Sequence, residues 1–279
     1  MIAKPNQGSP ILRKAWQGKW ALVTGASAGI GEALAVELAA AGVNLVLTAR
    51  RKDRLDALAS RLGGEFGVQT KIIVADLEQP DAPANIFAET EGAGLPIDIL
   101  VNNAGFGYYG EFAKGEPARQ AAMVQVNCAA VVLLTNLFLP KMIARKRGDV
   151  LIVASTAAYQ PVAYLATYAA TKVFDRYLAE ALAEEVKRHG VRVSALCPGP
   201  TESEFGRVAG VKADQFRGSQ KADIVARRGL EGLVRGKHWV IPYFVGRVGV
   251  FAQRFFPRRL VTAGVEKVFR PKARDRGSS

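Results

Sequence analysis

A chain of 279 residues, 49% of them hydrophobic and with ordinary glycine and proline content, suits one large α/β domain with a packed core and excludes collagen-like and disordered architectures. The formal net charge of +13 belongs to the last quarter: residues 205–279 hold 17 Lys/Arg against 5 Asp/Glu, while residues 1–204 hold 21 against 20. The two cysteines, Cys128 and Cys197, lack metal-ligand spacing, so they predict small core thiols in a reducing compartment and no metal site.

Residues 1–17 carry Lys4, Pro5, Pro10, Arg13 and Lys14 without an apolar run long enough for a secretory signal. They are read as a polar leader, and a cytoplasmic location is expected. From residue 18 onward, short β-rich runs alternate with longer helical patterns. The runs are 20–24, 44–48, 71–75, 98–101, 150–154, 191–196 and 239–241. Strands apolar on both faces and separated by helices predict a parallel sheet covered on each side, a Rossmann-type doubly wound fold of about seven strands over residues 18–243. Gly42, Gly63-Gly64, Gly148 and His189-Gly190 are the expected helix stops. Residues 120–140 are uncharged and as long as a bilayer span, but Gln120, Gln125, Asn127 and Asn136 favour a helix buried in the protein or in a subunit interface.

Residues 244–279 form a basic amphipathic extension. Phe244, Val248, Phe251, Phe255 and Phe256 recur at helical spacing among Arg247, Arg254, Arg258 and Arg259, Pro257 divides two patterns, and 271–279 read as a frayed tail. Packing on the domain or a subunit is the first reading, and peripheral contact with an anionic membrane the second. No motif for reading DNA or RNA supports a nucleic-acid partner.

The cofactor end is read from the residues that follow the strands. Thr24-Gly25-Ala26-Ser27-Ala28-Gly29-Ile30-Gly31 joins the first strand to a helix. Glycines there let the backbone turn tightly, and the free N–H groups and dipole of the helix start favour a pyrophosphate. The spacing is G-x-x-x-G-x-G, so the position between strand and helix carries the argument. After the second strand no acid is available for an adenosine ribose, and Arg50 is placed to fork onto a 2′-phosphate, which favours NADP(H) over NAD(H). Asp76, followed by Leu77, is placed to accept from an adenine amino group, and Asn103-Ala104-Gly105 suits a backbone running along the cofactor.

At the chemical end, Tyr168 and Lys172 share one helical face at i,i+4 spacing. A free tyrosine titrates near about 10, so it needs a neighbouring cation to act as a base. Ser155 lies at the end of the fifth strand, where sites in open parallel sheets form.

The glycine turn, Asn-Asn-Ala-Gly, Ser155 and Tyr168-x-x-x-Lys172, in this order, closely resemble the short-chain dehydrogenase/reductase family over roughly residues 18–242. The resemblance implies that Ser155 hydrogen-bonds the reacting oxygen, Tyr168 gives or takes its proton, and Lys172 lowers the tyrosine pKa and holds the nicotinamide ribose. It further implies that Asn127 positions a water in the proton relay. Cys197-Pro198-Gly199-Pro200-Thr201 resembles the family's Pro-Gly turn, which places Pro198, Gly199 and Thr201 at the nicotinamide. Ala28 departs from the family's NADP pattern, in which many members carry a basic residue, so Arg50 must do more of the discrimination. The expected activity is NADP(H)-dependent hydride transfer between nicotinamide and a carbonyl or secondary alcohol, by a homodimer or homotetramer. The alternative is an NADPH-binding redox sensor or scaffold without turnover. Expected pocket residues are Phe106, Gly107, Tyr108 and Tyr109, residues 157–165 and residues 202–218, whose aromatics and alanines point to an apolar substrate.

Overall fold

The computed structural model describes residues 8–210 and 219–271. Seven strands, β1 (Trp20–Thr24), β2 (Asn44–Ala49), β3 (Thr70–Val74), β4 (Ile99–Asn102), β5 (Gly148–Val153), β6 (Val191–Leu196) and β7 (Trp239–Val240), pair in the order β3-β2-β1-β4-β5-β6-β7, every pair parallel. Side chains alternate across each strand, so Val23, Leu47, Val101 and Leu151 enter one apolar layer, and Leu22, Val46, Leu100 and Ile152 enter the other. The sheet is doubly wound, as the alternating pattern predicts.

The first layer is covered by α1 (Pro10–Trp16), α2 (Gly29–Ala40) and α3 (Lys52–Phe66). The opposite face takes α4 (Ala82–Glu89), α5 (Pro117–Val124), α6 (Ala130–Ala144) and α7 (Ala166–Val186). After β6 come the short α8 (Phe205–Ala209) and α9 (Ala222–Val234), which returns to the first layer. Beyond β7 the chain forms α10 (Phe244–Ala252) and α11 (Arg258–Phe269).

Three expectations are corrected. Residues 10–16 belong to the domain rather than to a polar leader. Ile11, Leu12, Ala15 and Trp16 make one apolar face, Leu12 and Trp16 are fully buried, and Trp16 Nε1 donates to Asp149 Oδ2 at 2.7 Å. Gly63-Gly64 do not stop α3; the helix continues while Leu62 and Phe66 remain seated on the core, and Gly67 ends it with φ +67. Gly148 opens β5, and α6 has already ended at Ala144, ahead of a turn through Lys146 at φ 53.

The apolar run from α5 through α6 is long enough to cross a bilayer by length and composition. In this fold Val126, Ala130, Leu134, Phe138 and Met142 pack it against the sheet, as expected of a buried helix. A π-helical turn, Gln125–Ala129, joins α5 to α6 and carries Asn127, and such turns often mark functional sites. Cys128 and Cys197 are both free; burial pushes their thiols up to about 11 and about 12, which suits core packing rather than reactivity.

Candidate active site

The carboxyl ends of the parallel strands open into one cavity of about 880 Å³. The residues expected at the site line it, except Asn127, which lies behind its wall. At its cofactor end, the Thr24 side chain joins two turns: its Oγ1 accepts from Asn103 N and Ala104 N at 2.9 Å each, and donates to Val101 O. Asn103 Nδ2 returns a bond to Thr24 O at 2.9 Å. This closure explains the glycines. A Cβ on Gly31 would collide with Gly25 O and the Asn103 side chain, and Gly29 has φ +59 with Ser203 Cβ 2.9 Å from where its own Cβ would stand. No side chain caps the start of α2, and its first residues Gly29, Ile30 and Gly31 line the cavity, an arrangement that fits a pyrophosphate.

Arg50 and Arg51 both line this end, with different partners. Arg50 is largely exposed and pairs with Glu78 at 3.0 Å and, more distantly, with Asp76 at 3.8 Å. Asp76 Oδ1 accepts from Glu78 N at 3.0 Å, which orders the turn after β3. Arg51 donates to Ser27 Oγ from Nε and Nη2 at 3.3 and 3.0 Å, and to Glu204 at 2.7 Å. Glu204 also meets Arg54 and Arg207, and hydrogen bonding chiefly from Arg51 holds its carboxyl down at about 2.

At the chemical end, Ser155 starts the turn after β5, where its Oγ accepts from Ala157 N at 3.1 Å. Lys172 lies one turn beyond Tyr168 along α7, with Nζ 5.9 Å from the centroid of the Tyr168 ring. Its ammonium donates to Val153 O and to Asp175 Oδ2, each at 2.8 Å. Burial pushes the Tyr168 hydroxyl above the ordinary tyrosine range, while the nearby Lys172 ammonium and Ser155 pull the other way. Burial also disfavours the charge on Lys172, but Asp175 and Tyr168 outweigh it and raise its pKa. Asp175 is pushed up by burial against the pull of Lys172.

Asn127 is fully buried. Its amide exchanges bonds with Phe106 N and O at 3.1 and 3.0 Å, and its Nδ2 donates to Thr171 Oγ1 at 3.0 Å. It therefore fixes the wall carrying Phe106 and the start of α7. Pro198 O accepts from Ser155 Oγ at 3.4 Å, Thr201 Oγ1 donates to Gly199 O at 2.9 Å, and Gly199 packs so closely on the Tyr243 ring that a Cβ would overlap it. The substrate side is walled by Phe106, Val162, Leu165, Phe205 and Phe269, with the Phe205 ring 5.0 Å from that of Tyr168. Of the expected pocket residues, Phe106, Ala157, Gln160, Val162, Leu165 and residues 202–208 line the cavity; Gly107, Tyr108, Tyr109, the rest of 157–165, Ala209 and Gly210 do not, Tyr109 instead bonding Phe269 O, and 211–218 lie outside the described residues.

Sequence reasoning missed Asp175, Arg51 and Phe269, and reached Glu204 only as one of the expected pocket residues 202–218. An acid three residues after Lys172 was the available signal for the first. Glu204 and Phe269 reach the site from remote parts of the chain.

A doubly wound sheet with an open glycine turn and a Ser155–Tyr168–Lys172 cluster at its carboxyl edge is the arrangement that the resemblance to short-chain dehydrogenases predicts. Residues 19–212 match the family described as short chain dehydrogenase, and the chain belongs to that family. Very-long-chain 3-oxoacyl-CoA reductase of Bos taurus is 38% identical over 187 residues, covering 66% of this chain and 59% of the relative. The chain thus spans about three fifths of that relative's length. The protein of the same name from Pyrenophora tritici-repentis is 33% identical over 259 residues, covering 82% of this chain and 73% of the relative. Among solved structures, a short-chain dehydrogenase from Sphingobium yanoikuyae in complex with NADPH has a TM-score of 0.78 at 30% identity, covering 88% of this chain and 95% of that one. A 7beta-hydroxysteroid dehydrogenase has a TM-score of 0.82 at 25% identity, covering 91% and 98%.

Proposed function

We propose that the protein is an NADP(H)-dependent reductase of an apolar ketone, also able to oxidise the corresponding secondary alcohol, with Asn127, Ser155, Tyr168 and Lys172 as its catalytic set. The observation that carries this reading is the convergence of Ser155, Tyr168 and Lys172 on the same cavity as the glycine turn. Bound nicotinamide would supply or accept the hydride. Ser155 and the Tyr168 hydroxyl polarise the carbonyl oxygen, and Tyr168 releases its proton to it. Lys172 stabilises the phenolate that remains, because its ammonium is held within reach of the ring. Asn127 acts from behind the wall, fixing Phe106 and Thr171.

For the cofactor, Gly25, Ser27, Gly29, Ile30 and Gly31 would take the pyrophosphate, and Asp76, Leu77, Asn103, Ala104 and Gly105 the adenosine and ribose portions. Pro198, Gly199 and Thr201 would flank the nicotinamide. Arg50, together with Arg51, supports a preference for the 2′-phosphate; the NADPH carried by the Sphingobium yanoikuyae relative agrees with it. The apolar substrate wall and the 3-oxoacyl and hydroxysteroid names of the relatives support a ketone set in a large apolar molecule. Exposed Val132 and Leu133 on α6, and Phe174 and Tyr177 on α7, support a homodimer or homotetramer paired through those helices.

The test is NADPH consumption across a panel of short, aryl and long-chain ketones, with Tyr168→Phe as the control. The substitution should cut turnover by about 10²–10⁴-fold and leave NADPH binding, measured by titration calorimetry, within a few-fold. Tight NADPH binding with no turnover across the panel would replace this reading with that of a cofactor-binding sensor.

A further inference from the structure

The helices α10 and α11 have an inner and an outer face of different character. On the inner side, Val265 and Phe269 of α11 pack against the cluster of Val162, Leu165 and Ala169, and Phe269 lines the catalytic cavity. Two phenols fasten this helix: Tyr164 Oη donates to Glu266 Oε1, and Tyr109 Oη to Phe269 O, both at 2.8 Å. Through Phe269, α11 therefore forms part of the wall on the substrate side of the cavity.

The outer side has no cover. Phe244, Val245, Phe251, Phe255, Phe256 and Leu260 all lie between 58% and 76% exposed, and an open groove of about 410 Å³ along α11 is lined by Phe256, Leu260, Val261 and Val268 and reaches Val265 and Phe269 of the inner side. Phe251 and Phe255 stack only on each other among these, edge to face at 5.4 Å. A contiguous apolar surface of this kind marks an interaction site.

Its charge selects the partner. Residues 244–271 carry six basic side chains, Arg247, Arg254, Arg258, Arg259, Lys267 and Arg270, against the single acid Glu266. Glu266 is already taken by Arg270 and Tyr164. Arg254, Arg258, Arg259 and Lys267 are exposed and meet no carboxylate among the described residues. A second copy of this chain pairing through the same face would set these cations against each other. The exposed apolar patch on α6 and α7 lies elsewhere and serves self-association without that cost. An anionic lipid surface satisfies both features at once: acyl chains accept the phenylalanines, and phosphate headgroups meet the arginines.

We propose that the outer face of α10 and α11 docks on an anionic lipid surface, and that the substrate enters the cavity from that lipid past α11. The entry route rests on the reading of the substrate as an apolar ketone; the docking does not.

The experiment is flotation of the full chain with vesicles of phosphatidylcholine, with and without phosphatidylglycerol, at low and high salt. Wild type should float at least about tenfold better with the anionic vesicles, and high salt should release it. The double variant Phe251→Glu/Phe255→Glu should stay in solution, melt as wild type does and keep wild-type turnover on a water-soluble ketone. On a long-chain ketone dissolved in anionic vesicles its rate should fall at least about tenfold. Wild type that does not float, or a variant that floats equally, overturns the docking. A drop in the variant's oligomeric mass would instead assign the face to a second copy, and also overturns it. Equal rates on the vesicle-borne ketone overturn the entry route. Inactivity of wild type on every soluble ketone would sink the reductase reading and leave the flotation result standing.

Discussion

Lys172→Met and Asp175→Asn, singly and together, probe the charge balance behind Tyr168. The pair is closed at 2.8 Å, its side chains are 6% and 1% exposed, and Lys172 is the hydrogen-bond partner of Asp175, whose Oδ1 has none among the described residues. Deleting the ammonium therefore leaves a carboxylate in the core without a cation, a change that costs about 3–5 kcal/mol. Deleting the carboxylate is milder, about 2 kcal/mol, because Lys172 keeps its bond to Val153 O and the asparagine oxygen remains as an acceptor. The double variant removes both charges and should be more stable than Lys172→Met alone, giving a coupling of about 2 kcal/mol or more. Urea unfolding of the four proteins measures this, provided their m-values agree. The pH dependence supplies an independent sign. Burial already raises the Asp175 pKa, and in Lys172→Met the opposing cation is gone, so the folded-state pKa rises further. Such a group favours the folded state most below its unfolded pKa and loses that contribution as pH climbs through the folded value. The deficit of Lys172→Met relative to wild type should therefore shrink on acidification. Additive single variants, or a deficit that ignores pH, would refute this account of the pair.

The pH profile of turnover follows from the raised pKa of Tyr168, which burial causes. Ketone reduction should stay flat through neutrality while alcohol oxidation keeps climbing into the alkaline range, and an oxidation plateau reached below neutrality would contradict the assignment of Tyr168 as the base. Glu204→Gln should lower the KM for NADPH by about two- to fivefold, the scale of an exposed ion pair, because Arg51 is released toward the 2′-phosphate; the KM for NADH should move less. Trp16→Phe removes the 2.7 Å bond to Asp149 and leaves a void among fully buried side chains, a loss of about 2–3 kcal/mol measurable by denaturant titration. A neutral result there would mean that residues 10–16 do not belong to the folding unit.

The fold was legible because its signals are local and repeat. Runs such as Leu22-Val23 and Val150-Leu151-Ile152 alternate across a sheet buried on both sides, and each return helix has its own apolar period. Element ends were read less well where tertiary packing overrides a breaker. Gly63 and Gly64 remain helical because the residues on either side are anchored in the core, and the left-handed turn that closes the helix falls at Gly67. α1 was missed for a related reason. Its charges, Arg13 and Lys14, face outward and dominate the composition of the segment, whereas Leu12 and Trp16 become visible as core residues only once β5 places Asp149 beneath the indole.

The same distinction runs through the site. Gly25, Ser155, Tyr168 and Lys172 sit at strand ends or at helical spacing, so their convergence follows from the topology of a parallel sheet whose carboxyl ends share one edge. Arg51 was equally close in sequence to Arg50, but the direction of each side chain depends on what it meets: Glu78 draws Arg50 outward, while Ser27 and Glu204 hold Arg51 across the glycine turn. Discrimination between NADPH and NADH is thus a property of two arginines and the acids that compete for them, which the strand-end position alone does not show. Phe269 is more remote still, more than a hundred residues from Val162 and Leu165 on the chain, and reaches the cavity only because Tyr109 and Tyr164 fasten α11 beside it. Motif spacing therefore locates the groups that move a proton, whereas the walls that choose the substrate depend on contacts between segments with no fixed separation. Substitution of Phe269 should accordingly change which ketones are accepted while the proton chemistry of Ser155 and Tyr168 stays intact.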